Sequence, residues 1–276
     1  MSANRTSTRP AAGSLAAIAG GLVTAVAAIF VTTGCDTMSA DIEEAFKFDQ
    51  PSPSEAASWM FHRDSEKRRL GISLIANAPF GGEPPYMEVY REAVIDTDPM
   101  VRAAAALALG LHGEPVDAER LVALLTDDSA IVRVEAAQSL QRLHNPVAIG
   151  PLLDRLRNDT ESDVRMAAAN ALGQYAEPRV VEGLIAALDD ESLAVNHHAR
   201  RSLRFLTGKE LGLEPEEWLA WYRASSDPFG ERTAYTYPVY QRDLSWFEQI
   251  WPFSRPYFED PARPVGLPPE LAEAKP

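Results

Sequence analysis

The chain has 276 residues, 46% hydrophobic and 24% charged, enough for one large domain or two small ones with a substantial core. Its 26 Lys and Arg stand against 40 Asp and Glu, a formal charge of −14. That balance excludes the usual nucleic-acid binder, which needs a basic face to displace counterions from phosphates. The single cysteine, Cys35, excludes an internal disulfide.

The N-terminus reads as an export signal. Arg5 and Arg9 make a short basic start, and residues 10–34 carry no charge. Small residues, Thr-Thr-Gly, then lead into Cys35. This is the layout of a secretory signal peptide. The stretch resembles a bacterial lipoprotein leader. Gly34 and Cys35 match its lipobox, Thr33 is acceptable, and Thr32 departs from the usual leucine. The resemblance implies that residues 1–34 are removed and that Cys35 carries a diacylglyceryl thioether and an N-terminal acyl chain. Several acyl chains anchor firmly where one does not. The same uncharged stretch is long enough to cross a bilayer as an uncleaved anchor. On either reading a lipid anchor or an N-terminal helix holds the membrane, and the rest is exported to the periplasmic face of a bacterial envelope. Residues 35–53 read as an acidic tether.

Self-similarity follows. "DTDPMVRAAAALALG", "TDDSAIVRVEAAQSLQ", "DTESDVRMAAANALG" and "LDDESLAVNHHARRSLR" align on Val101, Val132, Val164 and Val195, spaced 31, 32 and 31 residues apart. An earlier, looser copy places Arg68 at the anchor. Each anchor opens a helix with apolar residues at helical spacing, such as Val132, Ala136, Ala137 and Leu140. Asp98, Ser129 and Ser192 are expected N-caps. Glu161 is a poor one, so Thr160 with Asp163 is expected to cap there. Gly110 and Gly173 are placed to end helices. A second helix fills each period, entered at Pro115, Pro146 and Pro178. Residues 78–86, rich in Gly and Pro, read as a lengthened turn.

Neither helix of a pair can bury its apolar face alone, so the pairs must stack. The pattern Val-Arg-x-x-Ala-Ala-x-Ala-Leu-Gly stands at 101–110 and 164–173, and loosely at 132–141. It resembles the HEAT-like repeat family, in the short form first seen in phycobilisome lyases, over residues 54–224. The resemblance implies an all-α fold, a right-handed α-solenoid of about five helical hairpins. Residues 225–276 form an aromatic, proline-rich tail. Such a fold says almost nothing of function.

Asp96, Asp127, Asp159 and Asp190 stand five residues before the anchors, and Arg102, Arg133 and Arg165 one residue after. Like residues recurring mark a structural ladder; a catalytic site needs unlike residues converging once. Each Asp can accept backbone N–H bonds at a turn, and each Arg can bridge adjacent repeats with its planar fork. The row ends at Asn196. No nucleophile elbow, phosphate loop or zincin motif occurs, so no catalytic residue, metal site or cofactor is expected. His112 and His144 near helix ends are explained by packing or capping.

The last copy differs. His197 and His198 diverge by about 100° on a helix and cannot chelate together unaided. Arg200, Arg201 and Arg204 cluster beside them. The cluster is either a polar end to the stack or a site for an anion or an acidic partner.

The resemblance implies that the Val-Arg helices line the concave face. Their outward positions give a candidate partner groove of Leu107, Val134, Glu135, Gln138, Met166, Asn170, His197, His198 and Arg201. Leu107, Val134 and Met166 make an apolar stripe there, to be covered by an unidentified protein partner or by the tail. The tail carries Tyr235, Tyr237, Tyr240, Trp246, Phe247, Trp251, Phe253 and Tyr257, too aromatic for a disordered segment. Docking on its own solenoid is the first expectation, with Trp218 and Trp221 capping the last repeat. The expected function is a non-catalytic, membrane-tethered protein-interaction scaffold of the envelope. The alternatives are a lyase-like enzyme or accessory, and a structural envelope protein touching wall or membrane through its tail.

Overall fold

A computed structural model of the protein describes residues 51–237 and 262–269. The leader, Cys35, nearly all of the tether, and the tail aromatics from Tyr240 to Tyr257 lie outside them, as do the expectations placed on those residues. Within the described residues the Val-Arg segments form α2 (Ser65–Ala76), α4 (Pro99–His112), α6 (Ala130–Leu140), α8 (Ser162–Leu172) and α10 (Leu193–Thr207). The second helices are α1 (Pro53–Trp59), α3 (Pro84–Ala93), α5 (Ala118–Leu124), α7 (Ile149–Asn158) and α9 (Pro178–Ala186), followed by α11 (Pro215–Ala224). No described helix is long and apolar enough to cross a membrane.

The Val-Arg helices pack in one unbroken row, each on the next, and each also packs on the second-row helix that precedes it. The result is a two-layer α-solenoid. Its close spacing follows from residue size. Ala105, Ala106, Ala136, Ala137, Ala168 and Ala169 are fully buried in the row, while Val132, Val164 and Val195 and Leu109, Leu140 and Leu172 fill the space around them. Each buried Val or Leu contributes about 1.5–3 kcal/mol of apolar transfer.

Several local expectations are corrected. Gly110 lies inside α4 rather than ending it. A Cβ there would stand 2.6 Å from Ser139 Oγ on α6, so the glycine serves close helix approach. Gly173 does follow α8, but with right-handed dihedrals, and a Cβ there would meet Ser202 and Tyr235. The left-handed glycine cap is Gly208, which ends α10 at φ 71°. Asp98 caps α4 by accepting from Met100 N–H. Ser129 and Ser192 hold the N-cap positions without a side-chain bond. Glu161, not Thr160, is the N-cap residue of α8.

The first copy is one residue out of register. Arg68 does what Arg102 does, so Lys67 aligns with the anchors. Arg68 Nη1 donates to the carbonyls six and five residues earlier, His62 and Arg63, as Arg102 Nη1 does to Asp96 and Thr97. His62 Nδ1 accepts from Asp64 N–H, taking the part Asp96 plays toward Asp98.

Pro115 and Pro146 open short 3₁₀ turns ahead of α5 and α7, and Pro178 is the first residue of α9. After α10 the chain turns into α11, where buried Trp218 donates from Nε1 to Gly212 O at 2.9 Å and meets Trp221 edge-on. The described parts of the tail dock on the solenoid. Thr233 N–H donates to Phe205 O, Tyr237 pairs with Ala262 through both backbone bonds, and Val265 lies between Arg142 and His144.

Candidate functional site

The Asp and Arg residues that recur in the sequence meet across repeats. Arg68, Arg102, Arg133 and Arg165 each donate from Nε and Nη2 to the two oxygens of Asp96, Asp127, Asp159 and Asp190, at 2.7–2.9 Å. Each of those carboxylates also accepts the N–H two residues on, that of Asp98, Ser129, Glu161 or Ser192. Each guanidinium is thus shared between the turn of its own repeat and the carboxylate of the next. Burial pushes the four carboxyl pKa values up, but the guanidinium and N–H bonds outweigh it and hold them below the usual range. Asn196, which replaces the next Arg, donates from Nδ2 to Leu188 O.

A buried ion pair outside the repeated Asp and Arg positions escaped the sequence reading. Arg91 on α3 holds both oxygens of the fully buried Asp117, at 2.8 and 3.0 Å. Asp117 also accepts Glu114 N–H. The signal was the acidic pair flanking Pro115 and Val116, which forms a capping box.

These rungs fix the face on which the candidate groove lies. Of its nine residues only Gln138 and His197 are exposed; the other seven are half-buried. Val134 and Met166 pack against the core, so the stripe is less open than the sequence suggested. Asn170 Oδ1 bonds His198 Nδ1 at 2.7 Å, joining α8 to α10 on this face. Burial, with Arg201 and His197 nearby, lowers the His198 pKa. Burial raises that of Glu135, against the pull of Arg142.

The tail reaches the rim of this face. Tyr235 is buried, accepts from Gln141 Nε2 at 2.8 Å and donates to Asn170 O at 2.7 Å. Its ring lies edge-on to Phe205, 5.4 Å away. Arg142 stacks over Tyr237 at 5.1 Å. His144 bonds Gln174 and stacks on Tyr175, and His112 bonds Ala76 O, so both serve packing between repeats. Among the described residues no group of three or more His, Cys, Asp or Glu could hold a metal ion. Other large apolar residues are more openly exposed: Phe61, Ile95, Met100, Ile131 and Leu193 sit at the turns entering the Val-Arg helices, and Val116 and Val147 at those entering α5 and α7.

The sequence model of HEAT repeats matches residues 59–141 and 118–204, together more than half of the chain. No curated protein matches it. Among solved structures, the chain is similar to an engineered protein at 24% identity, covering 56% of this chain and 78% of that one, with a TM-score of 0.46. It is also similar to the Escherichia coli protein YIBA at 20% identity, covering 55% and 59%, with a TM-score of 0.47. A further similarity is to the CpcE–CpcF complex of phycocyanin lyase from a Nostoc species, at 21% identity, covering 56% and 77%, with a TM-score of 0.36.

Proposed function

The chain belongs to the HEAT-repeat family, and on that premise we propose that it is a non-catalytic protein-interaction scaffold, tethered to a bacterial envelope membrane by its N-terminus. The carrying observation is a contrast within the Val-Arg row. Its buried positions and its rungs repeat almost unchanged. Its groove positions do not: Leu107, Gln138, Asn170 and Arg201 are equivalents, as are Val134, Met166 and His197. A scaffold needs sameness inside and tolerates difference outside. Unlike side chains in fixed register on one face supply a specific surface, with apolar anchors amid polar groups. The uncharged stretch ending at Gly34-Cys35 supports the tether.

The test places a photo-reactive residue at exposed Gln138 in membranes bearing the full chain. One foreign protein should dominate the crosslinks and should be lost with Met166→Glu at unchanged helicity. Crosslinks that survive Met166→Glu, or none at all, would remove the groove as the binding site. Cys35→Ser should release the chain from the membrane if Cys35 is lipidated. Retention of that variant would instead support an uncleaved anchor.

A further inference from the structure

The open end of the Val-Arg row carries a second feature. In α10, His197, Arg200, Arg201 and Arg204 fall at i, i+3, i+4 and i+7, on one helix face. The equivalents of Arg200 are Ala106, Ala137 and Ala169, all fully buried. The carbonyls of Ala106 and Ala169 accept from the hydroxyls of Ser139 and Ser202 on the next helix in the row. After α10 the described residues contain no further Val-Arg helix, and the turn that follows brings Lys209 and Glu210 beside the α10 cations. The space between is a pocket of about 220 Å³ lined by His197, Arg200, Arg201, Arg204, Lys209 and Glu210, with Leu211 as its one apolar wall.

Ending a solenoid requires polarity, not one sign of charge. Here four cations face one carboxylate in a chain of net charge −14. Glu210 pairs with Arg204 at 2.9 Å, and Lys209 pairs with Glu231 at 2.7 Å. Arg200 Nε is buried and has no hydrogen-bond partner among the described residues. A buried guanidinium N–H without an acceptor is unfavourable, so the Arg200 side chain gains by turning that N–H toward an anion held in the pocket.

We propose that this pocket is a binding site for an oxyanion of the phosphate class. Arg200 and Arg204 donate from the helix side, and Lys209 supplies a point charge from the turn. Donors arriving from separate directions suit a tetrahedral oxyanion better than a planar carboxylate, which one coplanar guanidinium fork already satisfies. The pocket is smaller than the roughly 300–1,000 Å³ of sites for drug-sized ligands. It therefore takes the free ion or the phosphate end of a monoester. This site does not depend on the groove reading.

The test is calorimetric titration of the full chain in detergent with inorganic phosphate, in low chloride. One saturable site is expected. Arg200→Gln and Arg204→Gln should each weaken it by about tenfold or more. Arg200→Lys, which keeps the charge and loses the Nε–H, should also weaken it should Arg200→Gln fail to fold. Glu210→Gln should tighten it, and Arg179→Gln, on an exposed helix start, should leave it unchanged. Glycerol 3-phosphate separates the two sources. Binding at least as tight as phosphate supports a carried phosphate, and weaker binding supports the free ion. Absence of saturable binding of both anions would overturn the site. So would equal weakening by Arg179→Gln, or indifference to the Arg200 and Arg204 variants.

Discussion

Arg133 grips Asp159, 26 residues downstream, with two parallel bonds of 2.8 and 2.9 Å, while its remaining nitrogen holds the carbonyls of Asp127 and Asp128. The Asp159 side chain is only 1% exposed. Asp159 also accepts from Arg155 Nη1 at 3.2 Å, so its buried charge is left uncompensated only when both guanidiniums are gone, at a cost of about 3–5 kcal/mol. Arg133→Met in an Arg155→Met background should therefore lower the unfolding free energy by about that amount in a urea titration, and Arg133→Met alone by less. Arg133→Lys should recover little, because an ammonium cannot make the fork. The Arg102–Asp127 pair is more exposed, at 17% and 10%, so Arg102→Met should cost less. Equal losses at the two rungs would show that burial does not set their strength.

The same carboxylates set the response to acid. Their folded pKa values lie below the ordinary range, so the unfolded chain takes up protons first as pH falls. The stability they contribute is complete above the unfolded Asp value of about 3.9 and is lost as pH falls through the lower folded values. His144 and His198 act earlier. Burial lowers both pKa values, so the folded state resists protonation once pH drops below about 6.5. Urea midpoints should thus fall modestly below pH 6.5 and steeply below about pH 4. His198→Gln should shrink the first step and leave the second intact.

The sequence made the rows and rungs legible because both depend on periodic residue identity. A repeating Asp and Arg at fixed offsets can satisfy only a repeating contact. Asn196 becomes intelligible in the structure. Arg165 finds its Asp 25 residues on, and an Arg at 196 would find Trp221 there instead. What periodicity hid were contacts between unlike places. Arg91 and Asp117 lie outside the Val-Arg pattern, and the Tyr235 contacts span 94 and 65 residues. Gly110 misled because a glycine at a helix end and a glycine under a crossing helix look alike in one dimension. The register slip at Arg68 arose because no Val precedes that Arg.

Two glycines should respond oppositely to one methyl group. At Gly110 a Cβ would meet Ser139 Oγ at 2.6 Å, Cβ at 2.8 Å and Cα at 3.0 Å, and the last cannot move without shifting α6. Gly110→Ala should cost about 1–3 kcal/mol, and Ser139→Gly in the same chain should restore part of it. Gly150, in the first turn of α7, has nothing within 4 Å of that position. Gly150→Ala should stabilise by up to about 1 kcal/mol through helix propensity. Thermal unfolding of the three variants decides the matter, and destabilisation by Gly150→Ala would contradict the packing described.

Tyr235 ties the tail to the stack, and its hydroxyl is the most specific part of that tie. It is buried between Gln141 of one repeat and the Asn170 carbonyl of the next, and burial raises its pKa. Tyr235→Phe leaves both groups without their partner and should cost about 1–3 kcal/mol. Tyr235→Ala also removes the ring from Phe205 and should cost about 3–5 kcal/mol. A double-mutant cycle with Gln141→Leu isolates the bond itself. If the tail folds as part of the solenoid, Tyr235→Phe and Gln141→Leu should couple by at least about 0.5 kcal/mol. Protease cleavage after residue 225 should then rise with Tyr235→Ala in step with global unfolding. Were cleavage to rise while the unfolding midpoint stayed put, the tail would be a latch that opens alone, and the rim of the groove would be open part of the time.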